Sequence, residues 1–282
     1  MNWRVTGLAG VLALAGVGCG GSGGGGGGGN QDAGPPQSMA WVRFGNLSPD
    51  APALDVCVRA SGNASWGSPV LAGSGVTGGI AFPAMTKVVF IDAGTLDFRS
   101  VAVGGDCSTP VGSDLTAQTI NAHGTYTIAA VGQITPGAEG PYRLQQYIEH
   151  EEPPASGKAR FRFVNVIPNA PPIANGETVD GGTWAVQFTE MEMPFRFTAS
   201  GVGIVDGYQD IDPNPALPLT IRAVPPRQNP DLYTAPIDFR AGVITGVWAI
   251  GLLGGTGPQA LGYWVCDEIP AASGGQTNCM RQ

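Results

Sequence analysis

The residues best suited to chemistry in this chain are few. Cys57, Cys107, Cys266 and Cys279 form an even set once Cys19, close to the N-terminus, is set apart. Cysteines in an exported chain read as disulfides, and three pairings of four are open. Cys57 with Cys107 and Cys266 with Cys279 is the favoured pairing, because each bridge stays within one segment. The first would close a loop worth about 4 kcal/mol on the chain-entropy account. No Cys-x-x-Cys spacing or histidine partner points to a thiolate metal site. Asp206, Asp210, Asp212 and Asn214 space oxygen ligands as in the start of a Ca²⁺ loop. Pro215 follows where such a loop needs Gly, so the stretch reads first as a proline-fixed surface turn. Asp50, Asp55 and Asp92 are acids of the kind a hydrolase could use, provided two face each other across a cleft.

Other candidates read as structural. His123 falls in a turn and His150 in a charged linker beside Glu149, Glu151 and Glu152. A Gly-x-Ser-x-Gly match at Ser22 lies in a glycine tract with no strand-to-helix elbow. The Gly-x-Gly-x-x-Gly at residues 73–78 meets Pro83 rather than a helix, so it lacks the helix N-terminus that phosphate binding requires. Trp66 and Trp184 follow glycine-rich loops. Their first reading is a plug at the end of a sandwich, and their second is stacking on a sugar or a partner. Arg43 and Arg162 recur on strands and read as outward-facing polar positions.

The elements that must position these residues announce themselves through a repeat. Residues 42–52 read VRFGNLSPDAP and residues 161–171 read FRFVNVIPNAP. Arg, Phe, Asn, Pro, Ala and Pro match in register, with Arg43 and Arg162 standing 119 positions apart. A repeat of this size means two copies of one supersecondary unit. The chain has 282 residues, with 45 Gly and 24 Pro, and short apolar runs separated by turn signals. That pattern predicts an all-β chain of two tandem antiparallel β-sandwich domains of immunoglobulin-like type. Strands are expected over residues 41–47, 54–59, 80–83, 86–92, 96–103, 115–120, 125–131 and 142–149. In the second copy they are expected over 184–189, 194–198, 217–224, 235–240, 243–252 and 261–266. Residues 121–124 read as a hairpin-like turn. The first domain spans 39–149, a proline-bearing linker 150–157, and the second domain 158–282 with a disulfide-tied tail.

The N-terminus reads as an address. Residues 1–18 hold one positive charge, a short apolar core and small residues before Cys19. That core is shorter than the roughly 20 residues a membrane span needs, and it fits an exported signal peptide. Small residues directly before a Cys resemble a bacterial lipoprotein signal. The resemblance implies cleavage before Cys19 and lipidation of that residue, with a soluble secreted protein as the alternative. Residues 19–38 then form a glycine-rich tether with a mean reach of about 25 Å. Gly20 is not the Asp that marks inner-membrane retention in that resemblance, so the outer membrane or cell surface is the expected location.

Composition narrows the partners. Charged residues are only 13% of the chain and the net charge is −8. Nucleic acid is excluded as a partner, since phosphate neutralisation needs Lys and Arg. A polybasic contact with anionic lipid is excluded on the same ground. The phrase Ser-Pro-Asp-Ala-Pro (Ser48 to Pro52), the apolar-Asp-Val strand after it, and Gly-Thr-Tyr-Thr-Ile (Gly124 to Ile128) resemble the bacterial domain-of-unknown-function family 4397. That resemblance implies tandem, extracytoplasmic β-sandwich domains with no catalytic residues to carry over. The reading is therefore a non-enzymatic, lipid-anchored envelope protein, structural or adhesive. Its expected partners are the membrane, through the lipid, and an envelope glycan or protein; no cofactor or metal is expected. A carbohydrate- or Ca²⁺-binding surface module is the alternative, with a carboxylate-dependent hydrolase behind it.

Overall fold

The computed structural model describes residues 38–179, 183–193, 196, 207–224, 229–268 and 278–282, with side chains left aside at 177–193. The chain is all-β. In the first half the strands are β1 (Met39–Asn46), β2 (Leu54–Ala60), β3 (Ala84–Met85), β4 (Val89–Asp92), β5 (Gly94–Ala102), β6 (Leu115–Ile120), β7 (Thr125–Val131) and β8 (Arg143–Glu149). The second half holds β9 (Ala159–Asn165), β10 (Ile173–Val179), β11 (Thr183–Met193), β12 (Tyr208–Ile211), β13 (Asn214–Ala223), β14 (Asp231–Phe239), β15 (Ile244–Ile250), β16 (Gly262–Glu268) and β17 (Asn278–Arg281).

Each half is two sheets. One first-half sheet runs β3-β1-β7-β8 with β4 also on β1, and the other runs β2-β5-β6. In the second half they are β12-β9-β15-β16-β17 and β11-β10-β13-β14. Alternating apolar residues of the facing sheets meet in one core per half. The first includes Val42, Phe44, Val56, Phe98, Ile128 and Leu144. The second includes Phe161, Phe163, Leu219, Ile221, Val247 and Tyr263. One pair in each half is parallel, β1 with β7 and β9 with β15, in sheets otherwise antiparallel. The opening strand of each half lies beside β7 or β15 and runs the same way.

The repeated phrase is a corner that satisfies its own backbone. Its two prolines donate nothing, so side chains fill in. Asn46 accepts from Ser48 N at 3.2 Å and donates to Pro52 O and Ile80 O at 3.0 Å each. Asn165 accepts from Ile167 N at 3.0 Å in the same way. Asp50 accepts from Ile134 N at 2.8 Å and Thr135 N at 3.0 Å. Its counterpart Asn169 accepts from Leu253 N at 2.9 Å and donates to Leu253 O at 3.1 Å. Both residues fix the loop after the strand that runs parallel to the opening one, β7 or β15, which is why an acid in one copy and an amide in the other serve equally.

Several expected elements differ. Residues 121–124 do not close a hairpin, because β6 and β7 belong to different sheets; the turn is a corner between them, with His123 at φ +60°. The strand expected at 80–83 reduces to one bridge between Ile80 and Leu54, and pairing with β1 begins at β3. The stretch read as a surface turn at 206–214 holds β12, which pairs with β9. β10 and β17 were not anticipated, and the expected strand at 194–198 falls outside the described residues except for Arg196. Among the described residues no helix is long and apolar enough to cross a membrane.

Candidate functional site

β1 is buried at every position, and so is β15. A strand of a solvated sandwich buries one face only, so a second body must cover the other. That body is the other half of the chain. The outer face of the β1 sheet packs on the outer face of the β9 sheet through Leu47, Ala129, Val131, Tyr147, Val164, Val166, Trp248 and Ile250. Tyr147 meets Trp248 edge-on, with ring centroids 4.9 Å apart.

Inside this apolar joint lies a cluster of charges. Arg43 and Arg162 were expected to face outward, and this is corrected: their side chains are 4% and 1% exposed. The face that alternation assigned to solvent is covered by the other half. Arg43 donates through Nη2 to Glu149 Oε1 at 3.0 Å and to Glu268 Oε1 at 2.8 Å. Its Nε donates to Thr127 Oγ1 at 2.6 Å. Arg162 Nη2 donates to both oxygens of Glu149, at 2.8 and 2.7 Å, and its Nη1 to Ile148 O at 2.9 Å. The Arg162 guanidinium also lies over the rings of Tyr208, at 4.9 Å, and Trp248, at 5.2 Å. Two cations and two carboxylates removed from water must pair closely to be tolerated, and these do.

In the sequence Glu149 reads only as charge beside the linker and Glu268 is not singled out; both end their strands. Their signal was positional: like Arg43 and Arg162, they stand 119 positions apart. Thr127 and Gly246 are related by the same step, and here the copies diverge. Thr127 donates to Glu149. A Cβ at Gly246 would overlap Glu268 Oε1, so the missing side chain makes room for the second carboxylate.

Tyr208 on β12 closes the cluster. Its hydroxyl lies 2.7 Å from Glu149 Oε2 and 3.0 Å from Glu268 Oε2. A phenol has one hydrogen and can donate to only one of them. Glu149 accepts from both arginines and Thr127, and although burial opposes its charge, Arg162 and Arg43 hold it below the usual carboxylate range. Glu268 is the reverse: burial and then the Glu149 charge push it above that range, against Arg43 and Arg162. The Tyr208 hydroxyl therefore donates to one of two carboxylates that their surroundings push in opposite directions.

The signs give a pH profile. Glu268, raised in the folded state, contributes stability below its unfolded pKa that is lost as pH climbs through the folded value. Glu149, depressed, contributes stability above its unfolded pKa that is lost on acidification, together with Asp50, Asp97 and Asp210, which are also depressed. Stability by urea titration is therefore expected to peak in the ordinary carboxylate range, about pH 4–5, rather than at neutrality. Glu268→Gln is expected to flatten the alkaline limb and leave the acid limb in place. His150, whose ring is 5.5 Å from that of Tyr208, lies beside the cluster and calls for a His150→Asn control.

The other expected site residues are dispersed. Cys57 is bonded to Cys107 and Cys266 to Cys279, the latter pair directly opposed on β16 and β17. Trp66 was expected to plug a sandwich end. It lies instead on the outer face of the β2 sheet, packed on the Cys57–Cys107 bridge with the guanidiniums of Arg59 and Arg99 at 4.2 and 4.4 Å from its ring. Asp55 accepts from Val56 N and Leu71 N, while Asp92 ends the edge strand β4, so Asp50, Asp55 and Asp92 serve different segments. Asp210 is paired with Arg160 at 2.6 Å and Asp212 with Lys158 at 2.6 Å. Cys19, Asp206 and the side chain of Trp184 lie outside the described residues.

No curated protein matches the chain. A family model does match, over residues 40–174, from β1 through the sandwich of the first half and across the second copy of the repeated phrase. Its span begins in β1 and ends at the start of β10, so it takes in both strands that carry a buried arginine. Over those residues the chain is similar to the family described as Domain of unknown function (DUF4397).

Proposed function

We infer that this is a non-enzymatic, lipid-anchored envelope protein, whose two β-sandwich units are fused into one stiff body and held off a membrane by a glycine tether. Its role is structural or adhesive, toward an envelope glycan or protein. The observation that carries the reading is the enclosed charge cluster. The carboxylates most like a catalytic pair, Glu149 and Glu268, are 4% and 10% exposed and are spent on joining the halves. Asp50 and Asp55, the acids a hydrolase would use, hold backbone N–H groups instead. Interdomain contacts usually permit relative motion. A joint that buries aromatic rings and paired charges resists it, which suits a spacer or scaffold more than an enzyme that must open and close.

The anchor supplies the test. Cys19→Ser is expected to move the protein from the membrane pellet to the soluble fraction, since the lipid is the proposed attachment. A variant that still sediments with membranes overturns the anchoring. The soluble variant is then expected to bind isolated envelope, and failure to bind every envelope fraction overturns the adhesive role.

A further inference from the structure

The contacts of the joint occur twice, with the halves exchanged. Arg43 of the first half reaches Glu268 of the second, and Arg162 of the second reaches Glu149 of the first. Gln259 donates to Pro49 O at 2.9 Å. Their counterparts, Gly140 and Pro168, are packed so closely that a Cβ on Gly140 would overlap Pro168. Tyr147 donates to Arg196 O at 3.3 Å, beside the end of β9, where Arg196 N donates to Asn165 O. Cys266, the counterpart of Tyr147, lies with its Sγ 3.9 Å from Met85 Sδ, beside the end of β1. Reciprocity of this kind marks a two-fold, isologous interface; a head-to-tail stacking of repeats would not produce it.

We propose that the joint is a self-complementary docking face, and that a second copy of this chain pairs with it by exchanging halves. The topology makes exchange simple. Each of the four sheets is built from strands of one half alone, so no ladder hydrogen bond need break. Only the joint opens, and the two halves are connected by residues 150–158, a largely exposed segment with Pro153 and Pro154. The partner is defined by charge. An occupant of the first half's face must present two opposite charges and a phenol where Arg162, Glu268 and Tyr208 stand, and the second half of another copy does so. The first half of another copy does not, because Thr127 takes the position where Gly246 leaves space for Glu268. The inference rests on the joint and not on the lipid anchor. A short flexible linker favours closure within one chain up to roughly millimolar concentration. Exchange therefore belongs to dense arrays on a surface or to chains that fold together.

The test uses two full chains, both carrying Cys19→Ser. One has Arg43→Glu, which reverses a charge of the first half. The other has Glu268→Arg, which reverses its partner in the second. Alone, each places like charges in its own joint. Refolded together, an exchanged heterodimer restores one joint as an inverted pair and the other as in the natural chain. Native mass spectrometry is expected to show at least about tenfold more heterodimer than either homodimer, since like-charge juxtaposition suppresses wrong pairings. Isotopically heavy and light natural-sequence chains, refolded together at roughly millimolar concentration, are expected to give a dimer of mixed mass. Monomers alone in the heavy-light mixture, or heterodimer no more abundant than homodimer in the charge-reversed one, overturns the proposal.

Discussion

Glu149→Ala is expected to be the most damaging single substitution in the chain, lowering unfolding free energy by about 3–5 kcal/mol. The reason is what it leaves behind. Arg43 and Arg162 would remain in a dry joint with one carboxylate between them, and that one, Glu268, is reached by Arg162 only at 3.5 Å. Thr127 and Tyr208 would lose their acceptor as well. Urea denaturation of the variant and the parent measures the difference. The triple change Arg43→Met, Arg162→Met, Glu149→Leu is the informative companion, because replacing all three leaves Glu268 with only Tyr208 and removes both stranded cations. It is expected to be less destabilised than Glu149→Ala although it alters more of the joint. A triple variant that is worse than the single one would mean that packing, rather than unpaired charge, dominates.

Removing the Cys57–Cys107 bridge is the second large effect. The bridge spans 50 residues of sequence and ties β2 to the loop after β5. Loss of such a constraint costs about 2–5 kcal/mol. Cys57→Ala with Cys107→Ala should also loosen Trp66, which rests on the bridge, and the Arg99 guanidinium, which donates to Cys107 O at 2.8 Å and to both oxygens of Asp114. A fall in melting temperature, with Trp fluorescence shifting to the red before global unfolding, is the expected signature. A variant melting within a degree or two of the parent would show that the loop is held by its ion pairs alone.

Much of the fold could be read from residue order. β6 and β7 lie where apolar alternation put them, because each packs one face on its own core. The repeat, the all-β class and the family resemblance followed from the phrase around Arg43 and Arg162. The joint could not be read this way. Alternation assigns Val42 and Phe44 to one face and Arg43 to the other, but it cannot say whether that other face meets water or a second sheet. An arginine is the wrong composition for a buried position, so Arg43 looked solvated. β12 was hidden for a related reason. Its four residues sit between Gly207 and Pro213, punctuation that reads as a turn, and its place is fixed by β9 and by the Tyr208 hydroxyl rather than by local preference. β10 contains Asn175-Gly176, which alone reads as a bend, yet both residues are held in the ladder by β13.

The Thr127 and Gly246 positions also bear on how such a gene can change. Tandem copies invite recombination, and each such event replaces part of one copy with the other. A conversion that wrote the first copy's sequence over β15 would place threonine at 246 and drive Glu268 from the only space it has beside Arg43. The reverse conversion would put glycine at 127 and take a hydrogen-bond partner from Arg43 and Glu149 at once. The residue at this one position thus makes the two copies non-interchangeable.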